Sequence, residues 1–599
     1  VQQTSDAYKT AMALDNRNHS YVQIVLAIVD STVNADASLS DSGHAPFSNV
    51  AGAVGILTPS KLYATMECNR LPVDGSKTVV PDDGDYAAQG YCSDVLSGAD
   101  CTFTANPIIS ASFGTTHNIL GFTIAFDDPE NLYCTDFTVR IYDGTTLLNT
   151  FPVTGNTDTQ YMIDTPFVGF NRIEVEFVKT SKPSNRVHVF GFAFGLVKTF
   201  TNDDLVDDGM TQDTAIDPVS STLPVSELDF SIDNYSGYYN PDNPVGVYAC
   251  LQEEQPVSLS YGYDVDGNGI IEWIPGGRYY LIDWSAPANK QSASFTAQSL
   301  LEFMQQTYTK GVYAPNGAAL YDLATAVLVD ANLPKAADGS DPWILDESLK
   351  NIHTTAPLPA QAQRELLQLI ANAGMCVLSV SRDGKICIAP ADDTPQDYYL
   401  NLGVAMEYPE NTLTSPLAEV DVKVYSFLPD TAASNISSTV VAVSGTQVVH
   451  IDYSDNPSTG VAATVTGGTL VSATYYSYSC DLTITSNGSV TIALAGCKLN
   501  SSNSVAAYQT GGTGEVCPVD NPIITDPANA AAVAKWTADY LSLRRTYTED
   551  YRGEPALDAG DVITMQTQYT DSLPAKVLEN VVKFDTALSG TITLKGMSQ

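Results

Sequence analysis

The sequence predicts a multidomain, mainly β protein with α+β modules and one β-sandwich. Three observations carry this. At 599 residues the chain exceeds what one core organises and suggests about three to five domains. Apolar residues alternate with period 2 in several separate stretches, and helical spacing is confined to short segments between them. A hydrophobic content of 44% with 9% aromatics supplies enough apolar mass for several cores.

Residues 1–45 read as a helix over about 5–15, a strand over 21–29, and a polar linker, "STVNADASLSDSGHAPFSN". Residues 46–200 read as a β-sandwich. "FTIAF" alternates Phe122, Ile124 and Phe126, and "FTVRIYDGTTLLNTF" is a hairpin turning at Asp143-Gly144. "RIEVEFV" alternates Ile173, Val175 and Phe177, and "VFGFAFG" puts Phe190, Phe192 and Phe194 on one face. Residues 201–310 form a second β module, closed by a helix predicted to start near 296 in "TAQSLLEFMQQTY".

Residues 311–409 form an α/β module. Its first helix aligns Leu320, Leu323, Val327 and Leu328 and stops by Pro334; its second follows Pro359 and ends at Gly374. The hairpin "CVLSVSRDGKICIAP" follows. Residues 410–520 are β-rich, with "CDLTITSNGSVTIALAGC" read as a hairpin turning at Asn487-Gly488. Residues 521–599 begin with a helix capped by Asp526 and Pro527. Val533, Trp536, Tyr540, Leu543 and Tyr547 recur at spacings of 3 and 4, so the helix is predicted to run some 20 residues, about 30 Å. Strands follow from Val562. There is no repeat of 20 to 50 residues.

The charge is extreme: 28 Lys and Arg against 69 Asp and Glu, a net -41. Such a surface repels DNA and anionic lipid, which excludes general nucleic-acid binding and favours basic partners. No apolar run reaches 18 residues, so no membrane span is predicted, and the first residues lack the basic region and the small-residue cleavage site of a signal peptide. Ten cysteines contain no C-x-x-C pair. A turn at Asp383-Gly384 sets Cys376 opposite residue 391 rather than Cys387, and a turn at Asn487-Gly488 leaves Cys480 and Cys497 diagonal. Neither geometry favours a cross-strand disulfide, so buried thiols are expected.

No enzyme is expected. The six histidines lack i, i+4 partners, and no G-x-S-x-G, P-loop or G-x-G-x-x-G is present. "DVDGNGIIEW" is the one metal-like string: Asp264, Asp266 and Asn268 match the first oxygen positions of a calcium loop, and Glu272 adds a carboxylate. Pro275 stands where a bidentate Glu belongs, and a plain hairpin tip explains the same residues. Calcium is thus the only cofactor considered. A glycan site in the sandwich would draw on Arg70, Asp74, Tyr86 and Tyr91 in loop-like sequence, although all four tryptophans lie outside this unit. Arg544, Arg545 and Arg552 crowd into "LRRTYTEDYRG". They either cap their own helix and pair with Glu549 or Asp550, or clamp the carboxylates of a neighbouring subunit.

Three segments together resemble the baseplate hub and tail-tip proteins of tailed bacteriophages. "LPVSELDFSIDNYSGYYNPDNP", followed by "GGRYYLIDWSAP" and "ASFTAQSLLEF", resembles their first β module, and "QRELLQLIANAGMCVLSVSRDGKICIAP" their middle α/β module. "AAAVAKWTADYLSLRRTYTEDYRGEPALDAGDVITM" resembles the closing helix-plus-strand module. The resemblance covers roughly residues 200–599, with residues 50–200 looking like an inserted discoidin or carbohydrate-binding sandwich. It implies barrel-like hub modules, a homotrimeric ring at the end of the tail tube, and distal-tail, tube, fibre or spike proteins as partners. It further implies DNA in transit only, a place in the virion tail tip after assembly in the host cytoplasm, and contact of the sandwich with host surface glycans. The competing reading is a secreted multidomain carbohydrate-binding protein or adhesin. A polysaccharide-cleaving tailspike would require parallel β-helix repeats, which the sequence lacks.

Overall fold

The computed structural model describes residues 2–14, 17–29, 31–56, 63–64, 78–79, 90–128, 130–243, 246–265, 267, 271–287, 291–336, 340–405 and 407–597. The chain is multidomain and mainly β. Its centre is a 13-stranded sheet that draws strands from both ends of the sequence. Eleven of them run in the order Gly195–Phe200, Ser20–Val29, Pro256–Asp264, Ile271–Ser285, Ser292–Gln298, Val225–Asp233, Leu205–Ala215, Leu573–Asp585, Ala587–Gly596, Arg545–Tyr551, Glu410–Leu413. Val562–Met565 adds to Leu573–Asp585, and Pro395–Leu400 pairs in parallel with Val562–Met565.

Two cores lie along this sheet. One gathers Ile24, Leu26, Phe230, Leu259, Tyr261 and Phe295; the other gathers Leu400, Tyr551, Ile563, Val577, Ile592 and Leu594. The seam between them is the pairing of Leu205–Ala215 with Leu573–Asp585, in register from Met210↔Phe584 to Ala215↔Glu579. Strict alternation builds such strands: in Ser20–Val29 the inward residues are Val22, Ile24, Leu26 and Ile28.

Between Val29 and Gly195 stand two facing sheets. A five-stranded sheet (Thr146–Val153, Cys134–Asp143, Phe167–Thr180, Ile108–Ile119, Ser38–Asp41) packs on a four-stranded one (Gln160–Ile163, Phe122–Phe126, His188–Ala193, Tyr91–Cys92). They share a phenylalanine-rich core in which Phe126 and Phe137 meet at 5.8 Å and Phe122 and Phe192 at 5.1 Å. The polar stretch predicted as a linker is instead part of this unit. Ser31–Asp36 is helical, Ser38–Asp41 adds a strand, and Val33 is fully buried. Asp36 anchors the stretch by accepting from the Gly114 and Thr115 amides, each at 3.0 Å, and lies 2.7 Å from His117 Nε2.

Three further elements differ from their prediction. The helix expected from 296 is the end of strand Ser292–Gln298 followed by a 3-10 turn, Leu300–Met304. Two neighbouring strands pair along Ser292–Gln298, and that overrides the local helical spacing. The expected hairpin at Asn487-Gly488 is a continuous strand, Ser479–Gln509, of 31 residues. Asn487 and Gly488 stay extended because Ser444 and Val443 of Ser434–Asp452 pair with them. The last helix, Pro527–Leu541, begins at Asp526 as predicted but ends after 15 residues. Beyond it Tyr547, Glu549 and Tyr551 alternate inward along the strand Arg545–Tyr551.

The α/β module holds helices Leu320–Asp330 and Gln363–Ala373 over the hairpin Val377–Val380/Ile386–Ala389. Val380↔Ile386 pairing shifts the hairpin one residue from the expected register, so Ser379 faces Cys387. Gly374 does close its helix, but Met375 takes the positive φ; a Cβ on Gly374 would meet Leu349 Cδ2 at 2.5 Å, so close approach is what requires glycine. The nine described cysteines are all thiols.

Candidate functional site

Of the sequence-predicted site residues, the structure describes Tyr91, Asp264, Glu272, Arg544, Arg545 and Arg552. Arg70, Asp74 and Tyr86 lie outside the described residues. Tyr91 is 0% exposed: it sits in the strand Tyr91–Cys92 and its hydroxyl donates to the Gly43 carbonyl at 3.0 Å, so it offers no ring face to a sugar. Tyr91 is a core residue because its neighbours pair with the strand His188–Ala193.

Asp266 and Asn268 also lie outside the described residues. Asp264 and Glu272 face each other's strands near a hairpin tip, in the register Tyr263↔Glu272 and Asp264↔Ile271. Glu272 is engaged elsewhere: its two oxygens accept from the Ser5 amide at 2.8 Å and the Ser5 hydroxyl at 2.6 Å. Ser5 in turn caps the helix Asp6–Met12 by accepting from the Tyr8 amide. Glu272 therefore ties the N-terminal helix to the hairpin.

Arg544 and Arg545 are not in the last turns of the helix. Arg544 follows its end and donates through Nε to the Thr414 carbonyl at 2.9 Å. Arg545 opens the strand beside Leu413 and is exposed. Arg552 donates to the Leu14 carbonyl at 2.8 Å. The pairing expected with Glu549 or Asp550 is replaced by other contacts: Asp550 accepts from Thr591, and Glu549 is buried.

These contacts belong to a junction that the sequence did not reveal, built around the turn "RGEPALDAGD" at residues 552–561. Two arginines far apart in sequence converge on it. Arg17 Nη1 donates to the carbonyls of Arg552 and Gly553 at 2.8 and 2.9 Å. Arg382, at the tip of the α/β hairpin, donates to Asp558 Oδ1 and the Pro275 carbonyl, each at 2.6 Å, and to the Leu557 carbonyl at 3.0 Å. Gln2 reaches Asp558 Oδ2 at 2.5 Å and bonds the Ala556 carbonyl through its own amide. The planar guanidinium, with several donors in a fixed fork, suits the carbonyl-rich outside of a turn.

Under the turn lies Glu554, which accepts from the Tyr8 hydroxyl at 2.7 Å and from the Ala556 amide at 3.1 Å. Burial raises its carboxyl above the usual range, against the lowering effect of those two donors. Burial, with Glu554 beside it, also raises the Tyr8 hydroxyl far above its ordinary value. Nearby, a cavity of about 220 Å3 is lined by Gln212, Arg278, Tyr279, Arg382, Asp558 and Asn580. Gln212 bridges its wall, donating to the Gly276 carbonyl and to Tyr279 while accepting from Tyr261 at 2.7 Å. A larger cavity of about 560 Å3 opens between His353, Thr355 and the start of the last helix at Asp526. Asp526 caps that helix, accepting from Ala528 at 3.1 Å, and so fills the end with its own negative charge. These contacts tie the helix Asp6–Met12, Gln2, Arg17 and the α/β hairpin to the C-terminal strands. Among the described residues no group of three or more His, Cys, Asp or Glu is placed to hold a metal ion.

No known protein family and no curated protein matches the sequence. Among solved structures, the chain is similar to the 43 kDa tail protein of prophage MuSo2 from Shewanella oneidensis, with 11% identity over 66% of this chain and 95% of that one, TM-score 0.38. It is also similar to a tail protein from Neisseria meningitidis MC58 (11% identity, 65% and 91% covered, TM-score 0.35). A third such structure is prophage tail protein gp18 from Listeria monocytogenes EGD-e (8% identity, 66% and 91% covered, TM-score 0.36).

Proposed function

We propose that this chain is a structural hub of a phage tail tip, a ring subunit at the end of the tail tube, with no catalytic role. The observation that carries the reading is the assembly of the segments with hub-like sequence. The first β module and the closing strands share one sheet through the seam at Leu205–Ala215, and the α/β module is pinned to both by Arg382. A body knotted in this way transmits load between its ends, which suits a part clamped between a tube and a spike or fibre. Its acidic surface, net -41, would let DNA pass without adhering, since adhesion to phosphate needs Lys and Arg.

In this reading the ring closes through heterologous contacts between identical subunits, and Arg545, exposed beside the outermost strand of the central sheet, reaches the acidic surface of a neighbour. The test is native mass at near-physiological salt. Three chains of 63.9 kDa give about 190 kDa. A species of that mass supports the ring, and a monomer at every concentration overturns self-association as its basis.

A further inference from the structure

The acidic charge of this protein is unevenly spread. Residues 434–509 hold four charged side chains, Asp452, Asp455, Asp481 and Lys498, far below the 16% of the whole chain. They form a sheet three strands wide: Ser434–Asp452 lies along one edge of Ser479–Gln509, while Ser458–Thr466 and Thr469–Tyr475 follow each other along the opposite edge. One face is buried on Val443, Leu482, Ile484, Val490, Ile492 and Leu494.

The other face is exposed, and its rows can be read from the register. Val440 stands beside Thr491 and Thr466; Thr446 beside Thr485 and Thr469; Val448 beside Thr483 and Ser472. Thr446 and Thr485 share a hydrogen bond at 2.7 Å, and Ser472 donates to Thr483 at 2.9 Å. Val440 and Val448 are each 65% exposed. From Ser438 to Val448 this face carries no charge; the first ionisable pair, His450 and Asp481 at 2.6 Å, stands at its end. Among the described residues Ser434–Asp452 pairs with one strand only, so its outer edge is open. Open edges are usually guarded by lysine or proline, and this one has neither.

We infer that this uncharged threonine-valine face is the contact between copies of this chain. The inference rests on the ring reading and locates its interface. Electrostatics selects the occupant. Two copies of a protein with net charge -41 repel wherever their acidic surfaces meet, and this face is where they can touch without opposing carboxylates. In a ring, one part of this face would meet a different part of the neighbour's, with hydroxyls pairing with hydroxyls and methyls excluding water together.

The experiment is the native mass of the whole chain carrying paired substitutions at exposed positions. Val440→Glu with Val448→Glu, and separately Val440→Lys with Val448→Lys, are both expected to convert the oligomer to monomer at concentrations where the wild type is fully assembled. Leu147→Glu with Val168→Glu, on exposed residues of the two-sheet unit, adds the same net charge as the first pair and is expected to leave the oligomer intact. Unchanged far-UV circular dichroism and melting temperature establish that each variant is folded. An assembled wild type whose Val440/Val448 variants stay assembled overturns this inference, gives the face to another occupant, and leaves the ring reading standing. Dissociation of the Leu147/Val168 control as well also overturns it, since net charge alone then accounts for the loss. A wild type that is monomeric throughout overturns both readings.

Discussion

Arg382 is the residue on which most of the junction depends. Its three donors hold an acidic side chain and two carbonyls from different segments, so truncation breaks all three bonds at once, leaving Asp558 only Gln2 and the Leu557 carbonyl only Asn580. Arg382→Ala is expected to destabilise the fold by about 2–3 kcal/mol, the range for hydrogen bonds to charged groups, measured by urea denaturation. Glu549 acts in the opposite sense. It is 3% exposed, its Oε2 has no hydrogen-bond partner among the described residues, and burial raises its pKa to about 8. Its folded-state pKa exceeds the unfolded value, so folding binds a proton and stability falls as pH rises from about 4.5 to about 8. Glu549→Gln is expected to raise the melting temperature at pH 8 and flatten that slope; an unchanged pH profile would refute the assignment. Neither role was legible beforehand. A buried carboxylate in a strand and an arginine at a hairpin tip look ordinary in sequence, because their partners lie far away along the chain. Tyr91 shows the reverse: a loop-like context suggested a sugar platform, but pairing with His188–Ala193 buried the ring.

At the level of elements, local chemistry was readable where it acts alone. Asp526-Pro527 marked the start of the last helix because capping needs only neighbouring residues. Asp526→Ala is expected to cost about 1 kcal/mol, read as a shift in the denaturation midpoint. The end of that helix was hidden, because Leu543 and Tyr547 satisfy helical spacing while Tyr547, Glu549 and Tyr551 satisfy strand alternation equally well. Pairing with Ala587–Gly596 decides for the strand. Asn487-Gly488 likewise has the composition of a tight turn, yet partners on Ser434–Asp452 keep it extended. Gly488 does not have a positive φ, and a Cβ added there meets nothing within 4 Å. Gly488→Thr is therefore expected to be neutral or to stabilise by up to about 1 kcal/mol, since glycine weakens strand interiors. A loss of more than that would restore the turn.

For the whole molecule, the mainly β class was readable from periodicity, because alternation survives whatever the strands pair with. The pairing itself was not, since the central sheet joins Ser20–Val29 to strands more than 160 residues away and the closing strands to Leu205–Ala215. If copies associate into a ring, the assembly is expected to tighten as salt rises, because screening weakens the mutual repulsion of acidic subunits over about 8–10 Å near physiological ionic strength. Sedimentation at 0.05 and 0.5 M salt checks this; dissociation at high salt would show that the Arg545 ion pairs outweigh both that repulsion and the uncharged face in holding copies together.

The bracketing of the two-sheet unit by paired strands has a practical consequence. Val29 and Gly195 are cross-strand partners, so their Cα atoms stand about 4.5–5.5 Å apart although more than 160 residues separate them. A chain that leaves and re-enters a sheet through so narrow a doorway can carry cargo of almost any size without disturbing the wall. With a two-residue hairpin turn in place of residues 30–194, the remaining strands are expected to keep their register, although the core that Leu120 and Met162 cover would be exposed; circular dichroism and the melting temperature of the trimmed chain check this.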